Sequence, residues 1–220
     1  MLGVVTIVSS GRELGRRDRK KLETRAALER AALELVAERG LAGVTVEDIS
    51  EAADVSSRTF FNYFSCKEEA LTGKSPMSDA YVGEAVSSAP SELPVLEVLR
   101  RGLREVADHI QAGREQWMLR LRVFEQNPSL LSRLVVNGAE TERVMADAVA
   151  RRIGVDPVAN GYPVLVAAVA SAAFRVAMMR WSVQSARREL GDLLDEAFDH
   201  LAAGLPGPAD PSDPGPLRSA

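Results

Sequence analysis

Val44 to Leu71, VTVEDISEAADVSSRTFFNYFSCKEEAL, carries three helix starts and one tight turn in twenty-eight residues. Thr45 precedes the apolar-periodic positions Val46, Ile49 and Ala53, and Asp48 stands three residues on, a near capping box. Asp54-Val55-Ser56 breaks the period, and Ser56 is placed to cap a short segment from Ser57 to Tyr63. Ser65 precedes a further segment, with Glu68 at the matching position. Two short helices joined by a three- or four-residue turn form a helix-turn-helix unit, whose second helix fits a DNA major groove. On that helix Phe60 and Phe64, four apart, share a face suited to a core, leaving Arg58, Thr59, Asn62 and Tyr63 to point outward. Base edges and phosphates are read by such groups. A buried helical hairpin would not need Arg58, Asn62 and Lys67 on that side.

Composition sets the outer limits. Apolar residues make up 46% and charged residues 26%, as in an ordinary globular chain, and one cysteine excludes an internal disulfide. His109 and His200 have no spaced partner, so no metal site is expected, and no cofactor. No paired acid and base or activated nucleophile is recognisable, which argues against an enzyme. No uninterrupted apolar run reaches eighteen residues, so neither a membrane span nor a membrane partner is expected, and the chain is read as cytoplasmic. The net charge of -4 is unevenly spread: Arg12 to Arg25 hold seven Lys/Arg against three Asp/Glu. Phosphate attraction depends on that local surplus.

Outward from the central stretch, Leu22 to Arg39 reads as a helix with Leu28, Ala31, Ala32, Leu35 and Val36 on its buried stripe, ended by Gly40. Thr72 to Pro90, with Gly73, Pro76 and Gly83, reads as an interruption or a change of direction and as the boundary between two domains. Helical period returns with Val95, Leu96, Leu99, Leu103, Val106 and Ile110, then with Trp117, Leu121 and Phe124, then over Ser129 to Ile153. Pro163 to Ser185 is apolar all round and must be covered on more than one side. Leu190 to Leu205 is a last amphipathic helix. The boundaries expected are a disordered basic arm over 1–18, a DNA-binding domain over 19–72, a helical domain over 73–205 and a disordered tail over 206–220. Met1 to Ser10 reads as a disordered extension. Lys67, in the first turn of its helix, opposes the helix dipole, which a phosphate partner would explain.

The stretch TVEDISEAADVSSRTFFNYFSCKEEAL resembles the DNA-binding signature of the tetracycline-repressor (TetR) family of transcriptional regulators. Thr45, Val55-Ser56, Thr59-Phe60, Tyr63-Phe64, Lys67 and Leu71 fall together at the family's spacings. Two positions depart from the pattern: Asp54 stands where Gly is usual, and Phe61 where Tyr is frequent. The resemblance implies an all-α chain, with a three-helix helix-turn-helix domain followed by a helical ligand-binding and dimerisation domain. It implies a homodimer, joined through the last two helices, on a palindromic operator in double-stranded DNA. Arg58 and Asn62 are then the base readers, while Thr45, Thr59, Tyr63 and Lys67 hold phosphates. Ser56, Ser57 and Phe61 complete the DNA-facing set.

Trp117, Leu121 and Phe124 on one helix face, and Phe174, Met178 and Trp181 at the same spacing on another, form apolar stripes that serve either as core or as the wall of an effector cavity. Arg120, Arg122 and Arg175 lie close by in sequence, and one that points inward needs an anionic partner. The TFFNYF reader followed by WMLRLRVFEQNPSLLSRL resembles a branch of the family associated with acyl-coenzyme A-like ligands, including regulators of the mycofactocin system. The function expected is a repressor released from its operator by an amphipathic effector such as acyl-coenzyme A. Two alternatives stand beside it: response to lipophilic drugs with control of efflux, and a ligand-independent architectural role on DNA.

Overall fold

Gly40, at φ 74°, turns the chain out of its first helix, and its amide donates to the Val36 carbonyl at 2.9 Å. A positive φ there is one that glycine adopts without steric cost. The computed structural model describes residues 15–72, 76–183 and 188–205. The apolar extension and the tail read from the sequence lie outside them. Among the described residues there are ten α-helices and no strand, so the all-α expectation holds.

The chain divides into two units, the first formed by residues up to 73 together with 119–130. This first unit holds α1 (Arg16–Arg39), α2 (Val46–Ala52), α3 (Ser57–Phe61) and α4 (Lys67–Thr72), with a short 3-10 turn at Leu41–Gly43. It also takes the later residues of α7 (Arg114–Gln126). The helix α1 begins at Arg16, so its first turn falls within the stretch read as a disordered arm. The expected stripe is largely buried, with Leu28 and Ala32 at 0% exposure, while Leu35 is only half-buried and Leu33 is buried instead. Val44, Ile49, Phe60, Phe64 and Leu71 complete the core from α2 to α4, and Val123 and Phe124 are buried on α7. Residues 119–130 were assigned by sequence to the other domain, because helical period alone does not say against which core a helix packs.

The second unit holds α5 (Pro76–Ser88), α6 (Val95–Ala112), the first residues of α7, α8 (Leu131–Ile153), α9 (Tyr162–Val183) and α10 (Leu190–Ala202). The helix α5 corrects the expected interruption over Thr72 to Pro90. Pro76 sits at its first position, where a missing N–H costs nothing, and Val82 and Val86 are buried four residues apart. Burial of that pair outweighs the propensity cost of Gly83. Its carboxyl end is closed by Arg152 of α8, whose guanidinium donates to the carbonyls of Val86 at 3.1 Å, Ala89 at 2.9 Å and Pro90. The helix α6 buries Val98, Leu99, Leu103, Val106, Ala107 and Ile110.

Charge joins α6 to α10. Arg100 reaches Asp195 at 2.7 Å and Asp199 at 2.8 Å, and Arg104 shares Asp195. Gly191 is buried against the Arg104 guanidinium, and a Cβ there would collide with it. The indole of Trp181, on α9, donates to Gln111 Oε1 at 2.9 Å, and the same oxygen accepts the Leu190 amide at 3.3 Å. One side chain of α6 thereby closes both α9 and the start of α10.

The helix α9 is the all-round apolar segment expected from Pro163 onward. It runs 22 residues with a mean hydropathy of 1.7 over its most apolar window, enough by composition to cross a membrane. It packs instead on α8, α10 and α6. Leu165, Val176, Met179 and Val183 stay exposed along it. Trp181→Ala removes a fully buried indole and its hydrogen bond, and should cost about 3–5 kcal/mol. Urea unfolding followed by circular dichroism measures this, and a loss below about 1 kcal/mol would show that α9 is anchored elsewhere.

Candidate nucleic-acid interface

Three local devices shape the reader. Thr45 caps α2 by accepting the Asp48 amide at 3.1 Å, while its own amide donates to Asp48 Oδ2 at 2.8 Å, a complete capping box. The Thr45 hydroxyl, donating at 2.6 Å, and the Thr45 amide hold the Asp48 carboxyl below the usual carboxylate range. After α2 the chain turns at Asp54, whose φ of 53° places it in the left-handed region. Glycine enters that region freely and Asp better than most residues, which accounts for the side chain found there. Ser56 then caps α3, accepting the Thr59 amide at 3.1 Å and pairing with the Thr59 hydroxyl at 2.9 Å.

The helix so started has five residues, Ser57 to Phe61, with Asn62 as its cap. It is shorter than the segment to Tyr63 expected from sequence. Phe60 and Phe64 are buried with ring centres 5.5 Å apart, and Phe61 stands edge-on to Phe60 at 5.6 Å. On the opposite side Arg58, Phe61 and Asn62 are exposed, and Ser57, Thr59 and Tyr63 are half-buried. The arrangement presents one guanidinium, one carboxamide and several hydroxyls on a rigid short helix, the donors and acceptors that base edges and phosphates accept.

Two residues expected to hold phosphates have other work. The ammonium of Lys67 donates to the carbonyls of Leu41 and Val44, each at 2.7 Å. It ties the first turn of α4 to the loop before α2. Those two carbonyls give a lysine against the helix dipole partners within the chain. The Thr45 hydroxyl donates its single proton to Asp48.

The residues expected to bind an effector divide between the units. Arg120, Leu121 and Phe124 belong to the first, and Trp117, Phe174, Arg175 and Met178 to the second. Trp117, Leu121, Phe174 and Met178 are half-buried, Phe124 is buried and Arg175 is exposed. Arg120, expected to meet an anionic group, has internal partners. At 2% exposure it donates to the Leu71 carbonyl at 2.9 Å and pairs with Glu29 at 3.3 Å. A buried guanidinium needs a counter-charge, and the chain supplies one internally. Sequence reasoning passed over Arg25 and Glu29, whose i, i+4 spacing beside buried Leu28 was the available signal. A cleft of about 790 Å³ in the first unit is lined by Ala27, Ala31, Leu35, Ala53 and Leu119 among others, and by none of the expected effector residues.

Residues 29–71 match the profile of the bacterial regulatory proteins of the tetR family, and residues 93–206 match that of the MftR C-terminal domain. The chain is 34% identical over 178 residues to TcmR, an HTH-type transcriptional regulator of Streptomyces glaucescens, covering 78% of each. It is 27% identical to MftR of Mycobacterium tuberculosis, named as a mycofactocin biosynthesis transcriptional regulator, over 85% of this chain and 93% of that one. Among solved structures, SmeT in complex with triclosan aligns with a TM-score of 0.56 at 18% identity, over 88% of this chain and 99% of that one. A Clostridium perfringens fatty acid metabolism regulator aligns at 0.53 and 15% identity, covering 81% and 97%. At such identities these two show the fold.

Lys67→Met keeps the apolar stem and removes the ammonium, leaving two carbonyls without their donor. It should lower stability by about 1–3 kcal/mol and leave the salt dependence of DNA binding unchanged. A salt slope smaller by about one at unchanged stability would restore the phosphate assignment.

Proposed function

The chain belongs to the TetR family of bacterial transcriptional regulators, and from that premise we propose a dimeric repressor released from a palindromic operator by an amphipathic effector. It is a DNA-binding regulator and not an enzyme. The observation that carries the DNA-binding part is the split of α3 into a buried face, Phe60 with Phe64 beyond it, and an exposed face, Arg58, Phe61 and Asn62. Arg58 and Asn62 read base edges, and Ser57, Thr59 with Ser56, and Tyr63 fix the register on phosphates. A five-residue reader touches few bases, so a second copy one helical turn away supplies the rest of the specificity. The place of action is the cytoplasm, where the DNA is.

The apolar stripe Leu165, Val176, Met179 and Val183 on α9 supports α9, with α10, as the dimer interface. Met179→Glu changes a side chain that is exposed in the single chain, so the protomer should still fold. In the dimer the new carboxylate is buried unpaired. Light scattering should report a monomer, and an intact dimer would place the interface elsewhere.

The effector is read as a long apolar tail with an anionic head, for which acyl-coenzyme A is the leading candidate. The match of residues 93–206 to the MftR C-terminal domain supports that choice. So does α9, where Phe174 and Met178 are half-buried one turn apart and Arg175 is exposed between them. With Arg120 committed to Glu29, an anionic head would fall to Arg175. Effector binding favours a conformation whose two readers no longer match the operator spacing.

Genomic fragments recovered on the protein should share a palindrome. Arg58→Ala should lose about 1–3 kcal/mol of discrimination at one base pair of each half-site, read by titration against single-base variants. Unchanged discrimination would remove Arg58 from the reader. Acyl-coenzyme A of increasing chain length should release the operator progressively. Release by lipophilic cations with no response to any acyl chain would overturn the acyl reading and leave the repressor reading standing.

A further inference from the structure

Three charged side chains of the first unit take no part in the DNA face, and they form a chain. Arg120 of α7 holds the Leu71 carbonyl in α4 and, through Nη2, Glu29 Oε2 on α1. Glu29 accepts from Arg25 Nε at 3.0 Å, one turn earlier on α1. The Arg25 guanidinium lies 4.4 Å from the centre of the Phe64 ring and donates through Nη1 to the Tyr63 carbonyl at 3.4 Å. Tyr63 and Phe64 follow directly on the reader helix and its cap. The side chains of Arg25 and Glu29 are 15% and 14% exposed, so solvent screens the links weakly.

A helix this short ends almost as soon as it begins, and its last carbonyls lack partners within it. Backbone amides of Asn62, Tyr63 and Phe64 return to Thr59 and Phe60 and close that end. Arg25 pins the segment just past it, stacking on the Phe64 ring and donating to the Tyr63 carbonyl. Its own position is set by Glu29, whose carboxyl Arg120 shares. We propose that Arg25 is a positioning residue of the DNA reader, held in place by the Glu29–Arg120 pair, so that a shift of α7 relaxes the reader through these three side chains. α7 is one continuous helix that carries Trp117, one of the expected effector residues, one turn before Arg120. The inference rests on the operator-binding reading above and assigns to it a route of control.

Burial holds the Glu29 carboxyl above the usual carboxylate range, against the pull of Arg120 and Arg25. In the interval between the ordinary value and that raised one, the folded chain binds more protons than the unfolded chain. Stability from this group therefore falls as pH rises through the interval, and acidification into it costs no folding stability through Glu29. Protonation does, however, remove the charge that holds Arg25 and Arg120. Operator affinity should fall on acidification before the fold weakens.

The test compares operator and random-sequence DNA at several salt concentrations. Arg25→Gln should reduce the ratio of operator to random affinity by about tenfold, with an unchanged salt slope because no phosphate contact is lost. Arg25→Lys keeps the charge toward Glu29 without the planar fork and should fall between Arg25→Gln and the parent. Glu29→Gln combined with Arg120→Gln removes that pair together, leaves Arg25 with the Tyr63 carbonyl and the Phe64 ring, and should flatten the pH dependence that the parent shows on acidification. The pH profile of the parent needs no variant, so the proposal stays testable if a substitution impairs folding. An Arg25→Gln protein that discriminates like the parent overturns the proposal. Equal weakening on both DNAs with a reduced slope does so too, since it would make Arg25 a phosphate contact. If the parent itself binds no palindrome, the operator reading fails instead, and the two failures are distinct.

Discussion

A five-residue helix has no independent stability, because nucleating it fixes more dihedral angles than its hydrogen bonds repay. The reader therefore exists only because Phe60 and Phe64 are buried beneath it. Each such ring contributes on the order of 1.5–3 kcal/mol by leaving water, which is more than the cap at Ser56 supplies. This constraint reaches back through the unit. Leu28, Ala32, Leu33 and Val36 on α1, with Ile49 on α2, complete the core that holds the rings. Asp54 must take a left-handed conformation so that α3 leaves α2 at the angle this burial requires. The exposed face can then be polar and rigid together, which is what discrimination between bases asks of it.

What the sequence disclosed follows the range of each interaction. The Thr45–Asp48 box, the Ser56 cap, the turn at Asp54 and the Phe60/Phe64 face all depend on residues within four positions of one another. They were legible before any coordinates. The internal partners of Lys67 and Arg120 were not legible, because they lie far along the chain. Leu41 and Val44 are more than twenty residues from Lys67, and Leu71 and Glu29 are 49 and 91 from Arg120. A cation without a visible partner invites a ligand, and here the fold supplied one instead. The helix α5 was missed for a related reason, since Pro76 and Gly83 are local breakers whose effect the buried Val82 and Val86 overcome. The division of α7 between two units has no signature in its periodicity.

The arginines separate by task. Those of the second unit that are paired do structural work: Arg100 and Arg104 bind α6 to α10, Arg152 closes α5, and Arg180 and Arg188 share Glu196. Each satisfies carboxylates or carbonyls of its own unit and adds little to an outward field. Arg16, Arg17, Arg19, Lys20 and Lys21 are exposed on the first turns of α1. The net charge of -4 thus conceals a local cationic strip. Because this strip is helical rather than a loose arm, its charges stand at fixed positions on the element that packs against α2 and α4. Fixed charges attract phosphate without a large entropic cost of ordering. The acidic surplus elsewhere opposes adsorption along DNA at random. Opposed in this way, long-range attraction acts locally, through the first turns of α1, and not through the net charge of the whole chain.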